Sequence, residues 1–333
     1  MHAHRDLATG IETYAREILA LEPGQVCHSV AKLSTSLGFG NGFFRVLGCG
    51  ATTVLNPYRP SPRTIVELTA RHGVDVLTGV PTFWGQLAEY LHRHPDPDAL
   101  SHLRLLVSSG DGLPPGIAER LALVVDAPLI DGLGCSECSN VVISTRPGDP
   151  GPGGLGRAVP GIEISLRDPD GRPVADGTPG RLWIRSPSNT SGYWRRQEAT
   201  RELIVGEWIR MGDMLVCEDG RYRHVGRIDD LFKVDARWVS PREVEHCLLD
   251  DPRVREAVVG GVADASGLMG VVAWVVVDDH APDTLAADLR RLVAHTLAPY
   301  MAPRELVILA ALPRLPSGKI DRKSLRDSAA VLP

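Results

Sequence analysis

Lysine is scarce in this chain. Only four of its 36 basic residues are lysine (Lys32, Lys233, Lys319 and Lys323) and the rest are arginine, so each lysine that is kept calls for a reason. Aromatic residues make up only 5%. The longest apolar run, Leu268 to Val277, is far short of the roughly 20 residues that a membrane-spanning helix needs. The opening residues, MHAHRDLATG, carry no apolar core of a secretory signal, which points to the cytoplasm and away from a membrane. Neither charge sign dominates: 36 basic and 41 acidic residues leave a net charge of -5, and this argues against a nucleic-acid partner. Six cysteines are scattered without a disulfide framework. Cys135-x-x-Cys138 lacks the second ligand pair that zinc would require and reads as packing or incidental thiols. No H-E-x-x-H occurs, and no G-x-x-x-x-G-K loop. Gly151-x-Gly153-x-x-Gly156 is crowded by Pro150 and Pro152 with no strand before it, so it reads as a loop. The G-C-S-E-C around Ser136 lacks the second glycine of a nucleophile elbow.

What is present describes a soluble globular chain of about two domains: 333 residues, 43% hydrophobic, with a mean hydropathy of -0.04. The first two thirds alternate β-branched runs with helical patterns, the signature of βα units around a largely parallel sheet. Ser61-Pro62 predicts a capped helix running to Gly73. A strand is expected over Val74–Val80, a helix over Thr82–His94, a strand over Leu103–Val107 and a helix over Pro115–Val125. After the Gly/Pro-rich stretch Arg146 to Gly156, Ile162–Arg167 and Leu182–Ser186 predict a small β-rich layer. A second domain is expected from Asp229, giving domains 1–228 and 229–333. In it Ser240-Pro241-Arg242-Glu243 reads as a capping box opening a helix to Leu249. Strands are expected over Ala257–Val262, Val271–Val277 and Glu305–Leu312, and a helix over Leu285–Leu297.

Four segments stand out together. They are DGLGCSEC (Asp131 to Cys138), EWIRMGD ending at Asp213, VGRIDDLFKVDARWVSPREVE (Val225 to Glu245), and LPSGKIDR with Lys319 at its centre. In this order the chain resembles the adenylate-forming superfamily of acyl-CoA synthetases, non-ribosomal adenylation domains and luciferases. GVPTFW (Gly79 to Trp84), the DGLG tetrad and RWVSPREVE bring it nearest to the benzoate-CoA-ligase-like branch.

The resemblance implies an α/β fold: a large acyl-adenylate-binding domain of parallel βα layers and a β-rich layer, followed by a smaller, mobile α+β lid. It gives Asp213 to the ribose diol, where a carboxylate is the apt acceptor, and Arg227 to the ribose and phosphate region. Gly110, Asp111, Gly112, Asp131, Gly132 and Leu133 match the segments around adenine. Ser136 stands where a threonine usually donates to phosphate, and Glu137 matches the family's magnesium carboxylate. Asp229 falls at the hinge, and Lys319 at the lysine that serves adenylation. The acyl pocket is expected at Lys32, Ser34, Thr35, Leu37, Val80 and Pro81, and the pantetheine path of coenzyme A at Lys233, Asp235, Ala236 and Arg237. Asp235-Ala236 replaces the family's paired glycines. Ser34, Thr35 and Leu37 replace aromatics, which predicts a roomier pocket and a bulky acid, such as those of bacterial natural-product pathways.

The largest departure is at the front. MHAHRDLATGIETYAREIL is similar to the stretch just beyond the family's phosphate-cradling loop, so the chain is expected to be an N-terminally truncated member. The expectation is an enzyme that turns preformed acyl-adenylate and coenzyme A into acyl-CoA and AMP, with adenylation lost or very weak and magnesium not required. A separate adenylating enzyme and a homodimer are the expected partners. A complete ligase, transfer to a carrier-protein thiol and a non-catalytic adenylate-binding subunit remain open as alternatives.

Overall fold

The computed structural model describes residues 1–96, 98–149, 154–228, 230–235, 237–264, 267–277, 282, 284–315 and 320–329. The chain forms two compact units, one made of Met1–Met211 and Leu215–His224 and the other of Gly212–Met214 and Val225–Pro333. The expected boundary at Asp229 therefore falls inside the second unit.

The first unit is built on a seven-stranded sheet in the order β2-β1-β3-β4-β5-β6-β7. Its strands are β1 Val26–Ser29, β2 Thr52–Val54, β3 Val76–Gly79, β4 Leu105–Ser109, β5 Leu129–Cys135, β6 Asn140–Ser144 and β7 Arg157–Ala158. The first five run parallel, and β6 and β7 are antiparallel to their neighbours. β3 and β4 are buried along their whole length, as expected of central strands covered on both faces. Alternate residues serve opposite cores. Val76, Leu105, Val107 and Ile130 pack with Tyr14, Ile18 and Leu19. Leu77 and Leu106 pack with Ile65, Trp84, Leu87 and Leu121 from the helices Pro62–His72, Pro81–Arg93 and Pro115–Ala122. The first of these helices carries the predicted punctuation: the Ser61 hydroxyl accepts the Thr64 N–H at 3.2 Å, and Gly73 ends it at φ +58. A second, β-rich layer contains β8 Glu163–Arg167, β9 Gly180–Arg185, β10 Ile204–Val205, β11 Trp208–Glu218 and β12 Arg221–Arg227, of which Gly212–Met214 and Val225–Arg227 belong to the second unit.

The second unit contains a hairpin of β13 Phe232–Val234 and β14 Arg237–Val239 and a sheet of β15 Val254–Ala263, β16 Met269–Val277 and β17 Glu305–Ile308. Helix Pro241–Leu249 begins where the sequence predicts, with the Ser240 hydroxyl accepting the Glu243 N–H at 3.3 Å. β17 stops at Ile308, four residues short of the expected end, and pairs in parallel with Val272–Val275 of β16. The α/β architecture with a smaller C-terminal α+β unit is as expected. Among the described residues, no helix is long and apolar enough to cross a membrane.

Candidate functional site

The parallel strands carry most candidates of the first unit to one edge. Lys32 to Leu37 follow β1, Val80 and Pro81 follow β3, and Gly110 to Gly112 follow β4. Asp131 to Leu133 lie in β5, with Ser136 and Glu137 just beyond it. Crevices outside the carboxyl ends of parallel strands are where open α/β sheets bind ligands.

Three of these residues converge. Gly110 has φ +97, and a Cβ there would lie 3.7 Å from both Leu37 Cδ2 and Val80 Cγ1. The loop is tied to β5 by the Leu113 N–H, which donates to Asp131 Oδ2 at 3.4 Å, and by the Ser109 hydroxyl, which donates to the Gly132 carbonyl at 2.7 Å. Asp131 is itself buried, and its N–H donates to Thr145 Oγ1 at 2.8 Å. Asp111 is exposed and Gly112 half-buried.

The rest of the expected acyl pocket disperses. Thr35 caps the short helix Ser36–Phe39: its Oγ1 accepts the Gly38 N–H at 3.1 Å and donates to the Lys32 carbonyl at 2.8 Å. Ser34 and Lys32 are exposed, and Pro81 is buried at the start of its helix. Lys32 lines a separate cleft of about 470 Å³ with His28, Asn56 and Tyr58, in which Ser34, Thr35, Leu37, Val80 and Pro81 take no part.

Beyond β5 the chain turns at Ser136–Ser139. The Ser136 hydroxyl donates to Ser36 Oγ at 3.2 Å, which joins this turn to the loop after β1. The Glu137 carboxylate accepts the Tyr193 hydroxyl at 2.6 Å, and its carbonyl accepts the Thr190 N–H at 2.7 Å. Burial and the Glu137 carboxylate push the Tyr193 phenol up to about 12, so it remains a donor at neutral pH. Sequence reasoning missed Tyr193, because no spacing pattern links it to a residue so far upstream. The C-x-x-C pair consists of free thiols; Cys138 is buried and its Sγ lies 3.3 Å from Asn189 Oδ1. Glu137 is a suitable hard oxygen ligand for magnesium. Among the described residues, however, no group of three His, Cys, Asp or Glu side chains could hold a metal. An ion there would depend on Glu137 and on oxygens of a bound phosphate.

In the second unit Asp213 and Arg227 stand side by side. Asp213 is 7% exposed, and Arg227 Nη1 lies 3.5 Å from its Oδ2. A Cβ on Gly212 would come within 2.8 Å of Arg227 Nη2, so the glycine lets the guanidinium lie along the strand. The Ile228 N–H donates to the Gly212 carbonyl at 2.8 Å. In the β13–β14 hairpin, Lys233 Nζ sits 4.6 Å from the Trp238 ring centre and Arg237 stacks 4.0 Å from that of Tyr300. Asp235, where the family favours glycine, has φ +49. Asp is one of the few residues that adopt this left-handed conformation readily, so the hairpin turn survives the replacement. Asp229, Ala236 and Lys319 lie outside the described residues.

Residues 1–194 match the family of AMP-binding enzymes, and residues 243–319 match the AMP-binding enzyme C-terminal domain. The chain belongs to the AMP-binding enzyme family. It is 37% identical to benzoate–CoA ligase of Thauera aromatica, over 98% of this chain and 63% of that protein. It is 34% identical to anthranilate–CoA ligase of Pseudomonas aeruginosa, over 100% of this chain and 64% of that one. Among solved structures it superposes on the anthranilate CoA ligase AuaEII in complex with anthranoyl-AMP with a TM-score of 0.92. That match has 32% identity and covers 99% of this chain and 65% of the other. The chain thus spans less than two thirds of the length of these two curated relatives.

Proposed function

We propose that the 333-residue chain is an acid–thiol ligase that acts on a preformed acyl-adenylate. The thiol sulfur of coenzyme A attacks the acyl carbon and the bond to the phosphate oxygen breaks. AMP then leaves with that electron pair, and the thiol gives up its proton. The observation that carries this reading is the Asp213–Arg227 pair, a buried carboxylate held against a guanidinium at the position the family uses for ribose and phosphate. Gly110, Leu37 and Val80 supply an apolar wall next to a backbone segment without side chain, suited to the acyl group and the base. Transfer from a mixed anhydride that is already activated is largely a matter of positioning.

The 333 residues include no lysine-bearing phosphate loop to steady a pyrophosphate leaving group. We therefore assign the chain the thioester-forming half of the family's chemistry, with the adenylate supplied by another enzyme and coenzyme A as the acceptor. With Leu37 beside Gly110 where the family has an aromatic ring, an acid bulkier than benzoate fits this reading best. The test is pyrophosphate release: with ATP, magnesium and a panel of aryl acids the purified chain releases almost none. Sustained release at a ligase-like rate would restore the complete two-step reaction.

A further inference from the structure

Among the described residues, Arg45 is a buried cation that no carboxylate neutralises. It opens the short helix Arg45–Gly48 and is 2% exposed. Its Nη1 donates to Asn41 Oδ1 at 2.7 Å, and its Nη2 donates to the Ser139 carbonyl at 2.9 Å and to Asn140 Oδ1 at 3.2 Å. Its guanidinium carbon lies 4.9 Å from the Phe44 ring centre and 5.5 Å from that of Tyr14. Every acceptor is neutral, and no ion pair to Arg45 exists among the described residues. Burial lowers the Arg45 guanidinium to about 10 and pushes the Tyr14 phenol up to about 12, so at neutral pH the arginine is charged and the tyrosine is not. The cavity is built for this side chain: a Cβ on Gly40 would fall 2.1 Å from Arg45 Nη1, and one on Gly10 would fall 3.2 Å from its Nε.

A buried charge without a counterion is expensive, and removing the partner of a buried charge normally costs several kcal/mol. Arg45 does not lie beneath an arbitrary surface. The Ser139 carbonyl it holds belongs to a residue at φ +49 that closes the Ser136–Ser139 turn, through the Ser139 N–H to the Ser136 carbonyl at 3.2 Å. That turn carries Ser136 and Glu137. We propose that Arg45 is an internal counter-cation for the adenylate phosphate, fixing the Ser136–Glu137 turn and supplying positive potential from beneath it. The proposal rests on the reading of this turn as the phosphate-facing one. Positive charge fixed in advance in a low-dielectric interior needs no rearrangement when the anion binds, and it favours the departing AMP, which gains a second phosphate charge as the bond breaks, more than the bound adenylate.

The experiment compares AMP with adenosine, which offers the same base and ribose without the charge, by titration calorimetry. Asn41→Asp is the deciding variant. It is isosteric and gives Arg45 a carboxylate within reach of Nη1, and the amide nitrogen it replaces makes no hydrogen bond among the described residues. At an effective dielectric near 20, charges on the order of 10 Å apart predict a roughly tenfold loss of AMP affinity, with adenosine affinity unchanged and thermal stability no lower. Arg45→Met is expected to show the same selective loss, and Arg45→Lys to restore the preference for AMP over adenosine. Unchanged AMP affinity in Asn41→Asp would overturn the proposal, and so would a parallel loss of AMP and adenosine, which marks a purely structural role. A wild-type chain that binds neither nucleotide would instead remove the adenylate reading, and the proposal with it.

Discussion

Two arginines in the two units are handled in opposite ways. Arg322, in the C-terminal unit, meets Glu245 with both nitrogens, at 2.5 and 2.9 Å, and Glu245 also accepts the Val259 N–H at 2.8 Å. This fork holds helix Arg322–Ala329 to helix Pro241–Leu249 and β15, and the charges cancel where they lie. Arg45, in the first unit, is more deeply buried, and among the described residues its hydrogen bonds go to amide and carbonyl oxygens. A charge that serves only the fold is best paired within the fold; a charge left unpaired beneath a ligand-facing turn is available to the ligand.

The comparison can be broken most forcefully at Glu245. Glu245→Ala strands Arg322 and leaves the Val259 N–H without its acceptor, so the second unit should lose about 3–5 kcal/mol of stability. A denaturant melt that resolves the two units would measure it. The same variant should leave the unfolding of the first unit untouched, and a loss shared equally between the units would contradict the assignment of this pair to the fold of one of them.

A smaller effect is expected at Asp213, the carboxylate that we propose for the ribose diol. Asp213→Ala removes a charge-assisted acceptor for the ribose diol, and AMP affinity should fall by about 1.5–3 kcal/mol. Calorimetry showing the affinity intact would take Asp213 out of the site.

The smallest effect sharpens the comparison at Glu137, whose carboxylate is met by a neutral donor. Tyr193→Phe should cost only about 0.5–1 kcal/mol of stability, because the phenol is partly exposed. The folded chain holds the Tyr193 proton up to about 12 against about 10 for a free phenol. The bond is therefore fully formed below pH 10, and its contribution fades as pH rises from about 10 to about 12. The stability gap between wild type and Tyr193→Phe should close over that window. A gap that is constant with pH would mean that the proton is not held there.

The sequence was most legible where one local signal sufficed. Ser61-Pro62 with Gly73, and Ser240-Pro241, mark helix ends through short-range capping, and both lie where expected. The short apolar runs that open β3 (Val76, Leu77) and β4 (Leu105 to Val107) announce a parallel sheet buried on both faces. Candidate residues linked by motif, such as Gly110 and Asp131, reach one sheet edge because each follows or ends a parallel strand. Legibility stopped where a partner comes from afar. Tyr193 meets Glu137, and Arg45 meets Ser139, across long chain separations with no periodicity to reveal them. Thr35 illustrates a different limit: a small polar residue in a loop reads equally well as a pocket wall or a helix cap, and its hydroxyl is used as the cap. At Asp235 the loss of glycine signals a changed thiol path, yet the hairpin tolerates it because aspartate can adopt the same positive φ.

On the proposed function, these 333 residues suffice to pass an activated acyl group to a thiol. The most direct measurement supplies a panel of aryl-adenylates, from benzoyl-AMP to bulkier ones, with coenzyme A, without ATP or added magnesium, and follows thioester by absorbance and mass. Acyl-CoA and AMP should form in equal amounts from at least one of these adenylates, at a rate well above the uncatalysed background and sharply reduced in Asp213→Ala. Thioester formation no faster than in buffer with every one of them, from a folded chain that binds AMP, would contradict the proposed function.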